Sequence, residues 1–347
     1  MLRHHPLHRP QVVCKVMGIL VLLALAACNG RSPAPSPIIP SAVPATPTAV
    51  PPTATLPPTP TPTAVPTHTP TTEPTATATA TTTPTATAVP PQNIVNGLSR
   101  DQFIFMDEGV QSHVREIYAL GQQLGRSAEA FSKVGDSVVL TPHYLARFDS
   151  DQYNLGVYAD LQATIDQFAG SFGRFGQVAH VGLAARTLYE LGWADDEVCL
   201  ANENAIDCEI RLHNPSIFLI RLGTNDLIPA DFSANLRKLI EHLLAQGIIP
   251  ILGTKADRFE GEANTNNIIL RELAAEYQIP LWDFDMVAET LPDRGLSGDF
   301  IHLTMSGSND YTQGDVFEKG YPVSDLTALM ALDAIRQAVL NNDANDS

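Results

Sequence analysis

SIFLIRLG, residues 216–223, is an almost unbroken apolar run that stops at a glycine, with Arg221 as its one charge. A strand with one wet face alternates apolar and polar residues. A run like this one suits a strand buried on both faces, as in a parallel sheet covered by helices. The residues after it strengthen that reading. Phe232, Leu236, Leu239, Ile240, Leu243 and Leu244 recur at helical spacing from 229 to 246, and Gly247 closes the stripe. IIPILGT, 248–254, reads as the next strand, although Pro250 removes a ladder donor. Residues 264–277 have a helical pattern, IPLWDF a strand pattern, and 324–341 a helical one.

Upstream of the run the same alternation holds. Residues 107–125 form an amphipathic pattern through Val110, Val114, Ile117, Tyr118 and Leu124. AFSKV, 130–134, is a short strand with an awkward Lys133. Residues 159–170 read as helical, QVAHVG, 177–182, as a strand, and AARTLYELG after it as a helix. Strands alternating with helices predict an α/β fold, a three-layer α/β/α sandwich around a central, mostly parallel sheet. In such sheets ligands sit beyond the carboxyl ends of the strands, so the polar residues that follow each strand matter most.

The first strand ends in Gly135-Asp136-Ser137, the second at Gly182, and SIFLIRL at Gly223-Thr224-Asn225-Asp226; Asp299-Phe300-Ile301-His302 comes late in the chain. Alone, Gly-Asp-Ser is ordinary loop or helix-cap chemistry. Serine, glycine, asparagine and histidine in this order, over 130–305, resemble the SGNH (GDSL-type) hydrolases. The resemblance implies the same flavodoxin-like sandwich and a serine esterase that works without cofactor or metal.

The chemistry explains the residue types. A serine hydroxyl needs a base, and His302 supplies an imidazole. Asp299, three residues earlier, can orient the ring through its other nitrogen. By the family pattern the oxyanion donors are the N–H of Ser137, the N–H of Gly182 and the side-chain amide of Asn225. Gly182 stands in VAHVGLAART, where the family often has an asparagine before the glycine and Ser-Gly after it; a plain strand-end glycine is the rival reading. Asp226 reads as a loop-shaping neighbour of Asn225. Gly307-Ser308-Asn309-Asp310 nearly repeats the asparagine motif but follows no buried strand, and reads as a turn. The sequence has no Gly-x-Ser-x-Gly elbow, no His-Glu-x-x-His and no Walker motif, and Gly170, Gly173 and Gly176 do not form a dinucleotide fingerprint.

The rest of the 347-residue chain concerns location. Residues 1–15 are basic without an acid and lead into VMGILVLLALAA, too short an apolar run to span a bilayer and shaped like a signal-peptide core. Its end, Leu25-Ala26-Ala27-Cys28, resembles a bacterial lipobox, so 1–27 is expected to be removed and Cys28 lipidated, giving a membrane anchor; an ordinary signal peptide with Cys28 incidental is the alternative. Residues 28–92 form a spacer. Eighteen of the 27 prolines lie in 31–92, a composition that stiffens the chain and cannot bury a core. Its upper reach is about 190 Å, and a tail without spacing function is the alternative. Residues 93–347 remain for one hydrolase domain.

Loss of 1–27 removes Arg3, Arg9 and Lys15, leaving 18 basic residues against 38 acidic ones. Such a surface excludes nucleic acid as a natural partner. Cys199 and Cys208, nine apart in an exported chain, are expected to form a disulfide rather than a zinc site. The expected function is extracytoplasmic hydrolysis of small acyl esters, such as O-acetyl groups on glycans. Lipid-ester hydrolysis, O-acyl transfer or a non-catalytic surface binding domain are the alternatives.

Overall fold

The computed structural model describes residues 91–340. The expected signal peptide, Cys28 and nearly all of the Pro/Thr-rich spacer lie outside them; Pro91 and Gln92, the last of that spacer, open a short 3-10 turn.

The central sheet has five strands: β1 (Ile104–Phe105), β2 (Ser127–Gly135), β3 (Pro215–Arg221), β4 (Ile249–Gly253) and β5 (Leu281–Trp282). Their spatial order is β1-β5-β4-β3-β2, with β2, β3, β4 and β5 parallel and β1 antiparallel at one edge. β3 sits inside the sheet, and every one of its residues is buried.

Its side chains divide between two cores. Ile217 and Leu219 pack with α1 (Glu108–Gln123) and α6 (Gly320–Leu340), while Phe218 and Ile220 pack with α3 (Ala205–His213), α4 (Pro229–Ala245) and α5 (Thr265–Tyr277). A run apolar on both faces therefore builds the three-layer α/β/α sandwich. Each such side chain taken fully out of water contributes about 1.5–3 kcal/mol before entropy is counted.

Lys133, on β2, is 2% exposed. Its ammonium donates to the Phe172 carbonyl at 2.6 Å and lies over the Phe175 ring, and burial lowers its pKa to about 8. Pro250 is tolerated inside the sheet for a geometric reason. Leu252 and Thr254 donate toward β5, so the missing donor of Pro250 faces the same side, where β5 pairs only with Leu252 and Gly253.

Three expectations need correction. The segment 177–182 is not a strand; it makes one parallel bridge, Gly135 to Ala179, on the outer side of β2. The residues after it form no α-helix, only 3-10 turns at Ala185–Thr187 and Leu191–Trp193. The Ala185 N–H is taken by the Asp226 carboxylate, which fixes the chain there instead of letting it wind. Gly307–Asp310 is not merely a turn: Asn309–Asp310 pair in parallel with Tyr153–Asn154, and Asn309 is fully buried between Arg147 and Asp325. Elsewhere boundaries shift slightly; 159–170 becomes a 3-10 turn, Gly156–Leu161, running into α2 (Gln162–Gln167). No helix among the described residues is long and apolar enough to cross a membrane.

β2 thus has β3 on one side and the single bridge at Ala179 on the other. The chain leaves it first one way and then the other, which makes its carboxyl end a topological switch point, the place where open α/β sheets bind ligands.

Candidate active site

Ser137 lies two residues beyond the end of β2. Gly135 makes that exit possible, because a Cβ there would stand 2.3 Å from a Val139 methyl and 2.7 Å from the Arg221 carbonyl oxygen. The Asp136 carboxylate accepts from the Val138 N–H at 2.9 Å and so folds the turn that presents Ser137.

His302 arrives from the other direction, 165 residues later, and its Nε2 is 2.8 Å from Ser137 Oγ. Its Nδ1 is 2.6 Å from Asp299 Oδ2. The other carboxylate oxygen of Asp299 accepts from Ser297 Oγ at 2.7 Å, the His302 N–H at 2.9 Å and the Ile301 N–H at 3.0 Å. The bond to His302, with these three donors, holds the Asp299 carboxyl well below the usual carboxylate range. Asp299 therefore stays charged wherever an imidazole titrates. Both side chains are open to solvent, His302 by 41% and Asp299 by 51%.

Gly182 adopts φ +78°, in the left-handed region, with no atom within 4 Å of where a Cβ would be. Glycine is there for backbone conformation, not for space. Among the described residues neither the Ser137 N–H nor the Gly182 N–H donates to a protein acceptor. Asn225 follows β3 and lies between them. Its Nδ2 is 3.2 Å from Asp136 Oδ2 and 3.2 Å from the Leu183 carbonyl oxygen, so it touches the chain neighbours of Ser137 and of Gly182. Both bonds are at the long end of the N–H···O range.

Four further hydrogen bonds hold the Asn225 loop. Asn266 Nδ2 donates to the carbonyls of Gly223 and Asp226, Thr224 donates to Asp257, and Asp226 accepts from Ala185 at 2.9 Å. Burial raises the pKa of Asp226 to about 6 and also pushes Asp136 up. The structure thus brings together Ser137, His302, Asp299 and Asn225, with Gly182 joined to the group through Leu183. Sequence reasoning missed three supports: Asp136 as the partner of Asn225, Ser297 as a donor to Asp299, and Asn266 as the brace of the asparagine loop. The one available signal was Asp136 at a strand end.

Cys199 and Cys208 form a disulfide joining the approach of α3 to the helix itself. With Glu203 they are the only close grouping of possible metal ligands among the described residues, and Glu203 is engaged by Arg211. Clefts of about 530–550 Å³ occur near Ile104 and Met106, and none of the residues above lines them. Exposed apolar side chains adjoin the site residues along the chain: Val181 before Gly182, Leu227 and Ile228 after Asp226, Phe300 between Asp299 and His302, and Met305 three residues past His302.

No protein-family model matches the chain, and no curated protein matches it. Among solved structures it is similar to an acetylxylan esterase from Geobacillus stearothermophilus, at 16% identity over 61% of this chain and 95% of that one, TM-score 0.35. It is also similar to a GDSL-like lipase from Bacteroides thetaiotaomicron, at 15% identity over 66% and 99%, TM-score 0.36. A two-domain esterase active on acetylated mannans matches at 13% identity over 63% of this chain and 53% of that one, TM-score 0.39.

Proposed function

We propose that the protein is a serine ester hydrolase of the SGNH type. The observation that carries this reading is the relay of Ser137 Oγ, His302 and Asp299 at 2.8 and 2.6 Å, assembled from chain segments 165 residues apart at the switch point of the sheet. Ser137 Oγ attacks the ester carbonyl carbon while His302 Nε2 takes its proton, and the imidazolium is steadied by the Asp299 carboxylate. Charge on the former carbonyl oxygen is met by the free N–H groups of Ser137 and Gly182. Asn225 joins them by exchanging its long bond to Leu183 for the oxyanion. His302 then protonates the departing alcohol, and water attacks the acyl-enzyme by the same route in reverse.

For the substrate, small acyl esters on extracytoplasmic glycans are the favoured class. The lipobox-like Leu25–Cys28 and the long Pro/Thr-rich spacer support a domain held outside the cell and away from the bilayer. Hydrolysis of a short-chain nitrophenyl ester by the protein, compared with Ser137→Ala, tests the chemistry. Ser137 is also expected to be labelled by a fluorophosphonate. Equal rates from the two proteins would leave a binding domain as the better account. Release of acetate from acetylated polysaccharide, set against fatty acid from glycerides, tests the substrate class.

A further inference from the structure

Phe300 stands between Asp299 and His302 and is the most exposed large apolar side chain among the described residues, at 74%. It also adopts φ +60°, in the left-handed region. The turn around it imposes that conformation. The Phe300 N–H donates to the Ser297 carbonyl at 2.9 Å, the Ser297 N–H donates to the His302 carbonyl at 2.7 Å, and Asp299 gathers the N–H groups of Ile301 and His302. A glycine would enter this turn without steric cost and an asparagine with little, whereas a bulky side chain crowds its own backbone. Phe300 therefore neither eases the turn nor fills the core. Among the described residues it makes no ring stacking or cation–π contact. A strained, exposed aromatic beside a catalytic base is what a ligand-facing residue looks like.

Its location fixes which part of a ligand it meets. Only Ile301 separates it from His302, so its Cα lies within about 7 Å of that residue's Cα. His302 Nε2 has to serve both Ser137 Oγ and the oxygen of the departing alcohol. The oxyanion donors Gly182 and Asn225 lie on the other loops. The group attached to the departing oxygen thus leaves on the His302 side, where Phe300 and, three residues past the histidine, the 57% exposed Met305 flank it along the chain.

We infer that Phe300 is a platform for the alcohol half of the ester, a cyclic alcohol with an apolar ring face, and so sets specificity. This rests on the ester-hydrolase reading. An aromatic face takes the C–H face of a pyranose or of a hydrocarbon ring alike, and the choice of esters separates the two.

The test holds the acyl group constant as acetyl and varies the alcohol: ethyl acetate, cyclohexyl acetate and a mono-acetylated methyl pyranoside. kcat and KM are measured for the full chain, Phe300→Gly and Phe300→Tyr. The preference for ring alcohols over ethyl acetate is expected to fall about tenfold in Phe300→Gly, mainly through KM, and to persist in Phe300→Tyr. Loss confined to the pyranoside identifies a sugar; equal loss on both ring esters identifies ring shape alone, and either supports the platform. Phe300→Gly is also expected to melt higher than the parent, which loss of a structural side chain would not produce. An unchanged preference in Phe300→Gly, or a lower melting temperature, overturns the platform while leaving the hydrolase reading intact. No hydrolysis of any ester by the parent removes both.

Discussion

Replacing Asp299 by asparagine changes one carboxylate oxygen into an amide nitrogen, and the surrounding hydrogen bonds dictate where that nitrogen goes. Oδ1 of Asp299 receives three donors, from Ser297, Ile301 and His302, whereas Oδ2 receives only the His302 ring. The asparagine oxygen is therefore retained on the three-donor side, and its NH₂ group is turned toward Nδ1. The imidazole then has to present a lone pair at Nδ1 and carry its proton on Nε2, where it faces Ser137 and cannot accept a proton. Mis-set tautomers of this kind cost about 10⁴ in kcat in a buried triad. This pair is half open to water, which can shuttle protons, so about 10³ is expected, or about 4 kcal/mol at 1.36 kcal/mol per tenfold. Because the loop hydrogen bonds survive, the melting temperature should stay within about 2 °C of the parent. Steady-state hydrolysis of a nitrophenyl ester with a parallel thermal melt measures both. An Asp299→Asn protein that keeps more than about a tenth of parental kcat with its fold intact would refute the assignment of Asp299 as the group that sets the ring.

Other consequences can be checked on the same preparations. Asn225→Ala should lower kcat about 10²–10³-fold with little change in KM, as loss of one oxyanion donor does; a fall under tenfold would remove Asn225 from that role. Asp226 titrates near 6 in the folded protein against about 3.9 unfolded, so the folded state holds the proton more tightly. Its contribution is full below pH 4 and is lost as pH rises through 6. Asp226→Asn keeps an oxygen for the Ala185 N–H, so its advantage over the parent in urea melts should grow by about 2 kcal/mol between pH 4 and pH 7; parallel curves would contradict the shift. Reducing Cys199–Cys208 frees a loop of nine-residue separation, which should cost about 3 kcal/mol and lower the melting point by about 6–10 °C; an unchanged melt would mean that the loop stays ordered without the bond.

Where burial on both faces wrote the pattern, the sequence could be read directly. β3, α4 and the order of the four polar blocks follow from apolar runs and from the residues that end them. Elements whose form depends on partners far away in the chain were not legible. The 177–182 segment has strand composition, but only Ala179 finds a partner on β2, and the chain is then captured by Asp226. Asn309 looks like a turn residue because nothing nearby in sequence reveals Arg147 and Asp325, which surround it. Pro250 argues against a central strand until the short span of β5 is known. At the site, Ser137, His302 and Asn225 were legible by type and order. The role of Asp136 was not, because its bond to the Asn225 amide is a fact of packing between two strand ends.

The openness of the His302–Asp299 pair bears on the fate of the acyl group once the alcohol has departed. On the ester-hydrolase reading, the exposure of His302 and Asp299 gives water a path to the acyl-enzyme, so hydrolysis is the expected outcome. If Phe300 is the alcohol platform proposed above, a second alcohol intercepts the acyl group only by occupying that place before water does. Any transfer product should therefore saturate with acceptor concentration, and its ceiling should report how well the acceptor is held rather than how fast the serine reacts.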